Sequence, residues 1–184
     1  GPLGEGADGH VRPFPHPDTP PYDRFSPQPV VVAQRMEVLH RLAASAPDEP
    51  PPIIVAPWSA LAWRVPTREA VRAATLRIAR GDSIDRDALV LRLVAAGYSR
   101  QSVVEERGEV AVRGGIVDVF PPQRAHPVRI ELLGDEVESL RDFDPASQRS
   151  QAELPFFVAP PPREILATRE HVIERSAEIR ARGL

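Results

Sequence analysis

The sequence predicts an α+β chain: a compact module of mainly antiparallel strands with a helix, joined to part of an α/β layer. Three observations carry that expectation. Val110 and Val112, Val117 and Val119, and Val128, Ile130 and Leu132 alternate with other residues, which is the period of half-buried strands. Gly134-Asp135 lies between two such runs and has the composition of a tight hairpin turn. Between Asp85 and Gly97, Leu89 and Leu93 fall on one helical face. Strands and a helix of this kind bury one shared core.

The elements follow in order. Gly1-Pro2-Leu3-Gly4, with no initiator Met, reads as the remnant of a removed affinity tag, and 1–13 as a disordered lead-in. Residues 5–29 are rich in Pro, Gly and Asp and predict irregular chain. From Val30, the spacing of Val32, Met36, Leu39 and Ala43 predicts a helix, stopped by Asp48-Glu49-Pro50-Pro51-Pro52. Ile53-Ile54-Val55 predicts a short buried strand, and Pro57 sits at the first turn of a short helix over Trp58–Ala62. A second region begins at Pro66-Thr67, and Ala74–Ala79 predicts a strand. Asp85 is suited to cap the helix at 85–96 and Gly97 to end it. Within the strand region at 98–158, Gly114-Gly115 suggests a bulge or bend. Beyond Pro155 the chain is again Pro-rich, and 163–182 predicts a charged helical tail.

Composition narrows the chemistry. The chain has 184 residues, 42% of them hydrophobic and 27% charged, so it is globular rather than disordered. No apolar run approaches the roughly 20 residues that span a bilayer. Cysteine is absent, which removes disulfides, thiol catalysis and Cys-based zinc sites. The five His are scattered, so no metal or cofactor is expected. All 23 basic residues are Arg; without Lys there is no P-loop lysine and no Schiff-base lysine. A net charge of −3 does not favour a general footprint on nucleic acid.

The carboxylates Asp118, Glu131, Asp135, Glu136 and Glu138 are joined by no second ligand type, and turn chemistry accounts for two of them. No helix opens directly after Gly108, Gly114 or Gly115, so they are structural glycines rather than a phosphate cradle. The arginines say more. If Val128, Ile130 and Leu132 face the core, Arg129 and Glu131 project from the opposite face, and the same alternation turns Ala111 and Arg113 outward. On neighbouring strands, Arg113, Arg129 and Glu131 form one exposed polar patch. A solvated sheet face and a preorganised interface both produce that pattern.

The runs Gly97-Tyr98-Ser99-Arg100, Arg107-Gly108-Glu109-Val110-Ala111-Val112-Arg113-Gly114-Gly115-Ile116-Val117-Asp118-Val119-Phe120-Pro121 and Pro127-Val128-Arg129-Ile130-Glu131 resemble the amino-terminal UvrB-homology region of bacterial transcription-repair coupling factors (Mfd). So do Gly134-Asp135-Glu136-Val137-Glu138-Ser139-Leu140-Arg141, Phe143-Asp144-Pro145-Ala146-Ser147-Gln148-Arg149-Ser150 and, upstream, Pro21-Tyr22-Asp23-Arg24-Phe25-Ser26-Pro27. The resemblance implies a UvrA-binding module at 72–153, inserted between a partial α/β layer at 14–71 and its return at 154–184. It implies UvrA contacts at Arg100, Arg113, Arg129 and Glu131. UvrB-type sequences carry a further Arg where this chain has Ala111, which implies a smaller or differently centred contact. The function implied is a non-catalytic adaptor that recruits UvrA in the bacterial cytoplasm. RNA polymerase and DNA would be engaged only by other parts of the parent ATP-driven translocase. A direct DNA-binding fragment is the alternative, and a weak ATPase is set aside for want of a Lys.

Overall fold

The computed structural model describes residues 11–17, 28–46, 48, 50 and 52–164. The expected tag remnant, most of the irregular lead-in, the Pro21–Pro27 motif and nearly all of the helical tail lie outside these residues.

The first part is built around one helix. Strand β1 (Val11–Pro13), within the stretch expected to be irregular, pairs in parallel with β2 (Ile53–Val55), whose edge gives it backbone partners, and α1 (Pro29–Ala44) packs beside them. Proline at the start of α1 has its φ already set for a helix and gives up only an N–H that would lack a partner there. Phe14, Met36, Val38, Leu39 and Ala60 form the core, with Val32, Leu42 and Ile54 against it. The strand at Ile53–Val55 is present, but it is not buried as expected: Ile53 and Val55 are 60% and 59% exposed. Strand alternation gives Ile54 to the helix and leaves its two neighbours on the uncovered face. Next come α2 (Trp58–Leu61), entered through Pro57, and α3 (Arg68–Ala74), which no apolar periodicity announces. Only Val71 of α3 is buried, and the helix is set instead by Thr67, whose Oγ1 accepts from the Ala70 N–H at 3.2 Å. Arg72 Nε donates to the Ala43 carbonyl and ties α3 to α1.

The second part is the strand-rich module. Strand β3 (Leu76–Ala79) leads into α4 (Arg86–Ala95), capped by Asp85, whose Oδ1 accepts from the Ala88 N–H at 2.7 Å. Gly97 follows at φ +110°, a conformation that ends the helix and that glycine adopts freely. Six strands then form one sheet in sequence order: β4 (Ser99–Gln101), β5 (Glu109–Arg113), β6 (Ile116–Val119), β7 (Val128–Leu133), β8 (Glu136–Phe143) and β9 (Ser150–Glu153). All neighbours are antiparallel except β4 and β5. Strand β10 (Phe156–Ala159) returns to pair antiparallel with β3. The main core is Leu76 and Ile78, Leu89 and Leu93 of α4, Tyr98, the valines of β5 and β6, Val128, Ile130, Leu140 and Phe157. The α+β expectation therefore holds, as do helix 85–96 and the hairpin at Gly134-Asp135.

Two local expectations change. Gly114-Gly115 is not a bulge within a strand but the two-residue turn between β5 and β6, since Arg113 pairs directly with Ile116. Gly114 sits at φ +60°, and a Cβ on Gly115 would stand 2.8 Å from the Leu132 carbonyl oxygen. Register shifts occur instead in β7, between Glu131 and Leu132, and in β8, between Arg141 and Phe143. Ala111 does turn away from the main core, as alternation requires, yet it is 1% exposed. A second small core of Val104, Ala111, Phe120 and Phe143 covers it.

Candidate interaction surface

The register assembles the site. Across β5, β6, β7 and β8, one row reads Ala111, Asp118, Arg129, Arg141, and the next reads Arg113, Ile116, Glu131, Ser139. Both rows lie on the face opposite the main core, so Arg113, Arg129 and Glu131 do come together.

They are not equally exposed, which corrects the expectation of one open polar patch. The Arg129 side chain is 11% exposed. Its Nε donates to Asp118 Oδ1 and its Nη2 to Asp118 Oδ2, both at 2.8 Å. Nη1 donates to the Gln148 carbonyl at 3.2 Å, and Nη2 also reaches Gln148 Oε1 at 3.4 Å. The guanidinium lies 4.5 Å over the Phe143 ring. Asp118 itself is 2% exposed, so a carboxylate and a guanidinium share a water-poor site in a two-point geometry. The hydrogen bond to Asp118 raises the Arg129 pKa, outweighing the opposing effect of burial, with further attraction from Asp118 and Glu131.

Arg113 is the accessible cation, its side chain 49% exposed with Nη2 donating to Asp118 Oδ2 at 3.1 Å. Glu131 is half-buried and accepts from Ser139 Oγ at 2.5 Å. At the far side of the sheet Arg141 meets Glu153 at 3.3 Å. Arg100 does not join this group. It is exposed on the edge strand β4, and its register partner is Val110, which belongs to the core-facing row.

The residues that organise the face carry little signal in the sequence. Asp118 is one of five carboxylates that composition alone does not distinguish. Its flanking Val117 and Val119 both enter the core, and this alone places Asp118 on the arginine side. Gln148 had no local signal; it works through φ +59° in the β8–β9 turn and through Nε2, which donates to the Pro145 and Val104 carbonyls.

Among the described residues, no group of three or more His, Asp or Glu could hold a metal ion. No described helix is long and apolar enough to cross a membrane. Two shallow hollows, of about 490 and 350 Å³, are lined by none of Arg100, Arg113, Arg129 or Glu131. The arrangement is a charge-alternating sheet face.

Residues 76–164 match the family described as the UvrB interaction domain. The transcription-repair-coupling factor of Myxococcus xanthus is 40% identical over 150 residues, which is 82% of this chain and 12% of that protein. That of Mycobacterium bovis is 40% identical over 171 residues, covering 90% of this chain and 14% of the relative. That of Escherichia coli K12 is 35% identical over 137 residues, covering 74% and 12%. The chain thus spans about one eighth of the length of these relatives. It belongs to the transcription-repair coupling factor family, of which it carries the amino-terminal UvrB-homology region.

Proposed function

We propose that this region is a non-catalytic adaptor that recruits UvrA for nucleotide excision repair, within a parent protein that acts in the bacterial cytoplasm and removes stalled RNA polymerase by ATP-driven movement on DNA. Polymerase and DNA are then partners of other parts of that parent. Residues 72–153, closed by β10, form the UvrA-binding module, and 14–71 belong to the layer beside it. One observation carries the reading: a half-exposed Arg113 and a half-buried Glu131 share a rigid sheet face with the internally paired Arg129. Such a face complements a partner surface bearing a carboxylate opposite Arg113 and a donor opposite Glu131. Arg129 supports the contact from beneath, and Arg100 is an outlying contact on the sheet edge.

The alternative, direct DNA binding, is disfavoured by the alternation of charge on this face. Arg113 and Arg129 are balanced by Asp118 and Glu131, and Arg141 by Glu153, whereas phosphate tracking calls for an uncompensated basic stripe. Calorimetric titration of UvrA into the chain at two salt concentrations tests the proposal. Saturable binding that weakens at least tenfold in Arg113→Glu, with an unchanged circular dichroism spectrum, is the expected result. Wild-type affinity in that variant removes the patch from the argument. A shift of bare duplex DNA at low salt, lost at high salt, favours the alternative.

A further inference from the structure

We infer that Asp118 is the positioning residue of the docking face, the internal counter-charge that fixes both arginines before a partner arrives; this rests on the UvrA reading above. Asp118 stands on β6, between the strands that carry Arg113 and Arg129. Its two oxygens accept three N–H groups, two from Arg129 and one from Arg113. Alternation with Val117 and Val119 fixes its backbone, and its 2% exposure keeps water from competing for the carboxylate.

The two arginines end in different states. Arg129 is gripped from both sides, by Asp118 on one and by the Gln148 carbonyl and Oε1 on the other. Arg113 commits one Nη2 hydrogen to Asp118. A guanidinium has five N–H donors, so most of those on Arg113 remain for a partner carboxylate. A long flexible side chain loses rotamer freedom when it binds; one already held in place loses less. Asp118 therefore raises affinity without touching UvrA. Gln148 completes the device, for its Nε2 donors hold the turn that brings it over Arg129.

A double-mutant cycle with UvrA titration tests this. Asp118→Asn keeps the shape and removes the charge. In the wild-type background it is expected to weaken UvrA binding about five- to twentyfold, and in an Arg113→Ala background only about two- to threefold, because Arg129 alone is then left for it to position. Loss by the same factor in both backgrounds, or no loss in either, overturns the inference in favour of a purely structural ion pair. If Asp118→Asn does not fold, Asp118→Glu, which keeps the charge and displaces it by one methylene, is read in the same cycle against the same two outcomes. Failure of the UvrA reading looks different: the unmodified chain does not bind, or Arg113→Ala alone changes nothing, and the inference falls with it.

Discussion

Replacing Arg129 by Met tests the energetic centre of the module. The change keeps most of the apolar stem and removes the guanidinium, leaving Asp118 at 2% exposure without its main counter-charge. Removing one partner of a buried ion pair costs about 3–5 kcal/mol. Two terms modify this. Arg113 still donates one of the three hydrogen bonds at 3.1 Å, which lowers the cost. The guanidinium contact with Phe143 is lost, adding about 0.5–1 kcal/mol, part of which a methionine sulfur restores. The net expectation is about 3 kcal/mol. At about 2–4 °C per kcal/mol for a chain of this size, that lowers Tm by about 6–12 °C. Urea denaturation followed by circular dichroism reads it as a reduced midpoint at an unchanged m-value. The double variant Asp118→Val with Arg129→Met removes both charges and is expected to recover to within about 1 kcal/mol of the original. A loss below about 1 kcal/mol in the single variant, or a double variant less stable than the single, refutes the assignment of Arg129 as the charge that makes Asp118 tolerable.

Other outcomes follow from the same structure. Leu93→Ala, at a position 0% exposed in the main core, is expected to cost about 2–5 kcal/mol in urea denaturation. Gly114→Ala forces a side chain into φ +60° and should cost about 1 kcal/mol. Gly115→Ala should cost more, about 1–3 kcal/mol, and weaken hydrogen-exchange protection of the Leu132 amide, because its Cβ meets the Leu132 carbonyl. Tyr98 is buried with its hydroxyl donating to the Pro160 carbonyl at 2.8 Å, and burial pushes its pKa well above the ordinary value. The folded chain thus holds this proton where the unfolded chain releases it. The associated stability is present below a pH of about 10 and is lost as pH rises further. Tyr98→Phe should cost about 1 kcal/mol at neutral pH and flatten the alkaline limb of the stability–pH curve.

Strand alternation makes much of the charged sheet face legible in advance. Two-residue periodicity assigned Arg113, Arg129 and Glu131 to one side of a sheet, and the register agrees. It could not show how far each was covered. The cover over Arg129 and Ala111 comes from Phe143 and from Gln148 in the turn beyond β8, long-range partners without a local pattern. Arg100 comes from the family resemblance and not from alternation, and its parallel pairing with Val110 puts it in another row. Helix α3 escaped because seven residues with one buried side chain carry no periodicity, leaving Thr67 as the sole marker. Ile53 and Val55 show the converse, an apolar composition that reads as buried where a two-stranded sheet has only one covered face.

The pairing of β3 with β10 has a consequence for how the chain is made. Leu76 pairs with Ala159, and between them lies nearly the whole module. At a synthesis rate of about 5–20 residues per second, roughly 4–16 s separate the emergence of these partners. The β5–β6 and β7–β8 hairpins close over short distances and can form within that interval, whereas Leu76 and Ile78 wait for Phe157 and Ala159. On the ribosome, the Asp118–Arg129 pair is therefore drawn together by neighbouring strands well before the module closes behind it.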